Sequence, residues 1–204
     1  ILDHMQRRGL VANTTVNAKH IMRSMDRLAM FRSKRLVWGV GFSHEAGMEL
    51  IGPIMGRDDV VDSNTVIHVI AGVDDVQRVR RLPSDWKILV LGYKRFGFGV
   101  KYGNRPEVSK SLNAWRYWIP SLIRGRHVSF DNLAIEQLCI QQQLSPETFA
   151  RCFMGHDGHF TMYADAVKME YAVGSTAERF PIGNRTIRDC FASVRLLAAC
   201  DERR

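Results

Sequence analysis

The sequence has no long apolar run and few cysteines. No stretch of its 204 residues approaches the 18 or so apolar residues of a membrane-spanning helix, so we expect no membrane partner. The four cysteines, Cys139, Cys152, Cys190 and Cys200, match no zinc spacing and no close thiolate set. Because they also form no disulfide-rich framework, they favour free thiols in a reducing, cytoplasmic compartment and predict no metal site.

Glycine motifs for phosphate binding are also missing. The two glycine-rich stretches, 97–103 and 155–158, do not open a helix in the GxGxxG manner, so neither predicts a dinucleotide or P-loop site. What remains is ordinary globular composition, with 46% hydrophobic and 25% charged residues. The chain is long enough to bury a sizeable core.

The charge is basic and unevenly spread. The net charge is +8, and residues 1–40 hold eight Lys or Arg residues against two Asp. Such an excess could serve a nucleic acid or another polyanion. It could equally be the solvated side of a helix, because no basic stripe interleaved with aromatic residues accompanies it.

Short β-branched apolar runs recur along the chain, each followed by a helical pattern. The runs lie at 10–16, 35–43, 65–73, 87–94, 127–130 and, more weakly, 160–167. The helical patterns lie at 18–32, 74–81, 106–123, 145–154 and 186–199. Continuous apolar runs are typical of strands buried on both faces, and their alternation with helices indicates parallel strands with right-handed crossovers. We therefore predict an α/β fold, an incomplete TIM-type (β/α) barrel over 1–170, followed by an extension with a helix over 171–204.

In such folds ligands bind beyond the carboxyl ends of the strands. The residues at those ends are the candidate site: Thr15, Asn17, Ser43, Gly72, Tyr93, Lys94, Asp131, Asn132 and Asp165. Several have a second interpretation. Asn17 could cap the helix after it, and Asp131 or Asn132 the helix from 133. Asp74 is expected to cap the helix after the third run, and Gly39 to pack closely against a helix.

Several segments together resemble the later part of the radical S-adenosylmethionine (SAM) superfamily, in particular an uncharacterised group often carried by phages or mobile elements. They are LVANTTVN (10–17), VWGVGFS (37–43), HVIAGVDD (68–75), ILVLGYK (88–94), SFDNLAIEQL (129–138) and MGHDGHFTMYADAVK (154–168). The third is similar to the superfamily's GxIxGxxE pattern, with His68 in place of the first glycine and Asp75 in place of the glutamate. The resemblance touches most of residues 9–170.

The resemblance implies a SAM site. It assigns Asn17 and Ser43, with Thr15 beside them, to the ribose and amino-acid part of SAM, and Ile70 and Gly72 to the adenine. Tyr93, Lys94, Asp131, Asn132 and Asp165 are then candidates for binding a small-molecule substrate. The resemblance also implies a [4Fe–4S] cluster. The CxxxCxxC motif that would hold it is absent here, so we expect it before Ile1 in a longer protein, together with the first strands.

Two other interpretations stay open. The chain could be a non-catalytic basic β/α module that binds nucleic acid or a partner protein. It could also be an unrelated barrel enzyme with a phosphate site near Lys94, whose ammonium group can bind a phosphate or a carboxylate.

Overall fold

The computed structural model describes residues 1–43, 48–95, 99–100 and 105–201. The chain divides into two compact units, unit 1 at Ile1–Gln143 and unit 2 at Leu144–Arg204. The expected division at residue 170 therefore differs from the observed one at 143. Most of the glycine-rich stretch 97–103 lies outside the described residues.

Unit 1 is built on a parallel sheet of five strands in the order β1-β2-β3-β4-β5. The strands are Asn13–Asn17, Gly39–Ser43, Thr65–Ile70, Ile88–Leu91 and Val128–Phe130. This confirms the α/β class and the parallel strands at five of the predicted runs. The β-branched and apolar content of these runs explains why they pair as central strands.

The helices of unit 1 are α1 (Leu2–Arg7), α2 (Ala18–Ile21), α3 (Met25–Ser33), α4 (Met48–Met55), α5 (Val76–Arg80), α6 (Pro106–Leu122), α7 (Asn132–Gln137) and α8 (Ile140–Gln143). The single helix expected over 18–32 is two helices, because Ser24 closes a turn onto the carbonyl of Ile21. Helix α4 was not predicted. Pro120 lies in the last turn of α6, close to where the sequence places the end of that helix.

Strand β3 shows how the two faces of the sheet differ. Thr65, Ile67 and Val69 are buried, whereas Val66, His68 and Ile70 are half-buried. When successive neighbouring strands are parallel, right-handed crossovers all pass over the same face of the sheet. The crossover helices of unit 1 therefore cover the buried face. We call the other side the open face. It carries Asn13, Thr15, Asn17, Gly39, Gly41, Ser43, Val66, His68, Ile70, Leu89 and Leu91.

Unit 2 contains a separate antiparallel sheet of β6 (Tyr163–Asp165), β7 (Glu170–Ala172) and β8 (Phe180–Pro181). Its helices are α9 (Pro146–Cys152) and α10 (Ile187–Asp201), and its core holds Tyr171, Ile182, Cys190 and Val194. The prediction of a sixth parallel barrel strand at 160–167 is therefore wrong. Strand β7 follows β6 within a few residues, and so short a connection can join only antiparallel strands.

Candidate functional site

A row of polar side chains crosses the open face near the carboxyl ends of β1 to β3. Asn17 lies opposite Ser43 in the pairing of β1 with β2, and Ser43 lies opposite His68 in the pairing of β2 with β3. Register partners in a sheet point to the same side. The fold therefore brings together two residues that the sequence assigned to the site and a third, His68, that it treated only as a departure from a motif.

His68 lies over the backbone of its neighbouring strand. A methyl group on Gly41 would be 2.4 Å from Nε2 of His68, closer than any Cβ can approach. The absence of a side chain at Gly41 therefore leaves the space beside β2 that the imidazole ring occupies. Burial lowers the pKa of His68 because desolvation disfavours the imidazolium, which favours the neutral ring.

An open cavity of about 400 Å³ lies beside this ring, toward the amino ends of the strands. Its walls include the polar side chains of Asn13, Thr15, Asn64, His68 and Lys87, with Trp38, which is 58% exposed. This volume is within the range of small-molecule clefts.

Gly39 also borders this cavity, and its environment differs from the expected one. A methyl group on Gly39 would meet the Oδ1 atom of Asn13 at 2.7 Å. The Asn13 Oδ1 atom accepts a hydrogen bond from the Gly39 amide at 2.9 Å. The small residue thus makes room for a polar side chain from β1, and not for a helix.

The other residues assigned to SAM lie in two environments. Asn17 caps α2, with its Oδ1 atom accepting from the Lys19 amide. Thr15 and Ile70 belong to the open face. Gly72 does not join them, because a methyl group on it would meet Val108 and Leu112 of α6. Its small size at a φ of +94° serves packing of the turn after β3 against that helix.

The turn after β3 corrects one assignment. Asp75 caps α5 by accepting from the Gln77 amide. Asp74, the expected cap, turns back and accepts from the Ile70 amide at 2.6 Å, and its carbonyl accepts from Trp115 Nε1 at 2.9 Å. Asp74 therefore closes the turn that follows the strand.

Tyr93 and Lys94 follow β4. Tyr93 is buried, its hydroxyl donates to the Gly99 carbonyl, and its backbone is paired on both sides by the amide of Gln137. The Gln137 side-chain amide thus pairs with the backbone two residues past the end of β4, a role that nothing in the sequence marked. Lys94 is exposed.

Asp131 has the structural role that the sequence offered as its second interpretation. Its Oδ1 atom accepts from the Ala134 amide at 2.7 Å, capping α7, and from the Gly92 amide at 2.9 Å. One carboxylate oxygen therefore joins the end of β4 to the start of α7. Asn132 is the first residue of that helix.

Asp165 belongs to unit 2 and not to the parallel sheet. Its Oδ1 atom accepts from the amides of Val167 and Lys168 in the turn after β6. The Lys168 amide is the largest cause of its lowered pKa. Because residues 163–165 belong to the antiparallel sheet, the prediction that Asp165 ends a barrel strand is wrong.

Metal ligands are not grouped in the part of the chain that the structure describes. No set of three or more His, Cys, Asp or Glu residues there could hold a metal ion. Cys139 lies in unit 1, and Cys152, Cys190 and Cys200 lie in unit 2. The four free cysteines belong to no group among the described residues that could hold a metal ion, so they do not fit a [4Fe–4S] cluster. Among the described residues, no helix has the length and apolarity needed to cross a bilayer.

A second cavity, of about 410 Å³, has basic walls. Arg23, Arg27 and Arg57 border it where α3 begins. Arg57 is paired with Asp26 and Asp59. Arg23 and Arg27 are exposed and form no ion pair within the described residues.

In comparisons with known proteins, no family model, no curated protein and no solved structure matches the chain.

Proposed function

We propose that this chain is part of a radical SAM-like β/α enzyme and that the open face of unit 1 binds SAM. One observation carries the proposal. Four of the five residues assigned to SAM, Thr15, Asn17, Ser43 and Ile70, belong to the same face of three neighbouring strands. Those strands are parallel and sequential, as the resemblance to a barrel implies.

The chemistry of this face is compatible with SAM. Ser43 offers a hydroxyl beside the side chain of Asn17, whose oxygen also caps α2. An amide and a hydroxyl are groups that can bond the ribose hydroxyls or the amino-acid part of SAM. Ile70 gives the adenine ring an apolar surface. When SAM is bound with a reduced cluster, the cofactors supply the radical chemistry, and the residues here bind and orient SAM. The cluster's ligands would come from outside this chain.

Direct binding tests the proposal. We expect saturable SAM binding by isothermal titration calorimetry, and a Ser43→Ala variant that binds SAM about 5- to 10-fold more weakly through loss of one hydrogen bond. Ser121→Ala is the matched control, because Ser121 is exposed on α6 and its hydroxyl donates to the Trp118 carbonyl of the same helix. Absence of SAM binding, or equal effects of the two variants, would contradict the proposal.

The basic cavity favours a second candidate, a module that binds nucleic acid through phosphate contacts. Arg23 and Arg27 lie in the segment where the sequence concentrates its basic residues. Each phosphate contact lowers the affinity at higher salt because counterions are released on binding.

Fluorescence anisotropy with a labelled RNA tests this candidate. We measure the slope of log affinity against log salt concentration. In an Arg23→Gln, Arg27→Gln double variant, we expect this slope to correspond to about two fewer phosphate contacts than in the unchanged chain. An Arg151→Gln change in α9 of unit 2 should leave that slope unchanged. No RNA binding at low salt, or a slope that is the same in both variants, removes this candidate.

A further inference from the structure

We infer that the cavity on the amino-terminal half of the open face is a second site, and that it binds a free nucleoside monophosphate. The inference does not rest on the proposed SAM site. The two places share Thr15 at their border but have different centres, since Asn17 and Ser43 lie at the carboxyl ends of their strands and do not border the cavity.

The first argument is an excess of unused polar groups around one cavity. The Thr15 hydroxyl, the Asn64 side chain and the His68 ring have no hydrogen-bond partner among the described residues. Asn13 uses only its oxygen, which leaves its amide NH₂ to donate. Exposed groups can be hydrated, but His68 is half-buried and loses part of that hydration. Donors and acceptors of several kinds therefore converge on one small volume.

The second argument is the pairing of an aromatic surface with a cation. Trp38 borders the cavity and is 58% exposed, although it lies directly before a central strand. An indole offers a base a stacking surface. Lys87, on the far side of β3, extends an ammonium group that donates to the carbonyl of Ser63 and keeps two further donors. A phosphate is the natural partner of such a group.

Together these groups match a heteroaromatic ring that carries an anion. The base would stack on Trp38, the amides of Asn13 and Asn64 would meet its polar edge or the ribose, and the phosphate would pair with Lys87. Neutral His68 would accept or donate one hydrogen bond without repelling a ligand of either charge. SAM is a poor match here, because its sulfonium centre is a cation and would lie near the ammonium group of Lys87.

The test uses the whole chain and AMP as the probe, with adenosine for comparison, by isothermal titration calorimetry. We expect AMP to bind with a Kd tighter than about 1 mM and about 10-fold more tightly than adenosine. Lys87→Met should abolish that preference for AMP and leave adenosine binding unchanged. Trp38→Ala should weaken both ligands about 10-fold. Lys110→Met on α6 is the control and should alter neither.

Three results would overturn the inference. The first is no saturable AMP binding up to 1 mM (a limit set by weak small-molecule affinity). The second is a preference for AMP that survives Lys87→Met or falls equally in Lys110→Met. The third is an oligoadenylate that binds far more tightly than AMP with the same dependence on Trp38 and Lys87, which would identify nucleic acid as the ligand. Circular dichroism of each variant separates loss of the fold from loss of the site.

Discussion

Trp115→Ala should lower the free energy of unfolding of unit 1 by about 3–5 kcal/mol, as deletion of a large buried aromatic side chain does. Trp115 is fully buried in α6, and its Nε1 atom donates to the Asp74 carbonyl at 2.9 Å. The change removes apolar contacts from the helical side of the sheet and also the bond that ties α6 to the turn after β3.

Urea denaturation followed by tryptophan fluorescence measures this effect for unit 1 alone, since all four tryptophans lie there. Trp115→Phe keeps an aromatic ring but leaves the Asp74 carbonyl without its donor, so it should cost about 1–3 kcal/mol. Tyr117→Ala on the same helix is the control, because Tyr117 is 75% exposed and should change stability by only about 0.5 kcal/mol. Equal losses for Trp115→Ala and Tyr117→Ala would contradict the packing described for α6.

Asp131→Ala should destabilise unit 1 by about 2–4 kcal/mol, more than removal of a helix cap alone. Its Oδ1 atom accepts from Ala134 and from Gly92, so the change leaves one amide in α7 and one directly after β4 without an acceptor. The Gly92 amide is also enclosed, because a methyl group on Gly92 would lie 2.5 Å from Leu133 and 2.7 Å from the Ala134 amide nitrogen.

Asp75→Ala is the matched control for that prediction. Asp75 is also an aspartate N-cap in unit 1, but among the described residues its carboxylate accepts from the Gln77 amide alone, so its loss should cost about 1 kcal/mol. Asp131→Asn retains an oxygen acceptor and should recover part of the loss. The same urea titration compares the three variants. If Asp131→Ala lowers the free energy of unfolding no more than Asp75→Ala does, the bond from Asp131 to the Gly92 amide adds no stability and the prediction is wrong.

The sheet of unit 1 could be predicted because its signals are local. Residues 65–70 form a continuous β-branched and apolar run, which is typical of a strand between neighbours, and the structure has a strand there. The caps at Asn17 and Asp131 were also readable as one of two interpretations, since the side chain bonds an amide two or three residues ahead. The direction of pairing at 163–165 was not readable, because a single short run does not show whether its partner is parallel or antiparallel.

The candidate sites depended more on tertiary structure. Asn17 and Ser43 could be proposed as neighbours because carboxyl ends of parallel strands meet at one edge. Gly72 also follows the carboxyl end of a strand, but it has a φ of +94° and packs against α6, so it does not join the residues of the open face. The roles of Gly41 and His68 depend on each other across 27 positions in sequence, and only the register of β2 with β3 brings them into contact.

The sequence by itself therefore determined the parallel α/β architecture of residues 13–130, since hydrophobic period and run length act within a few residues. It also determined the basic charge of the first 40 residues. Tertiary structure alone decided where the chain divides, that residues 163–181 form an antiparallel sheet, and that Trp38, His68 and Lys87 border one cavity. Those outcomes depend on strand register and on approaches between distant segments, and no local pattern encodes such distances.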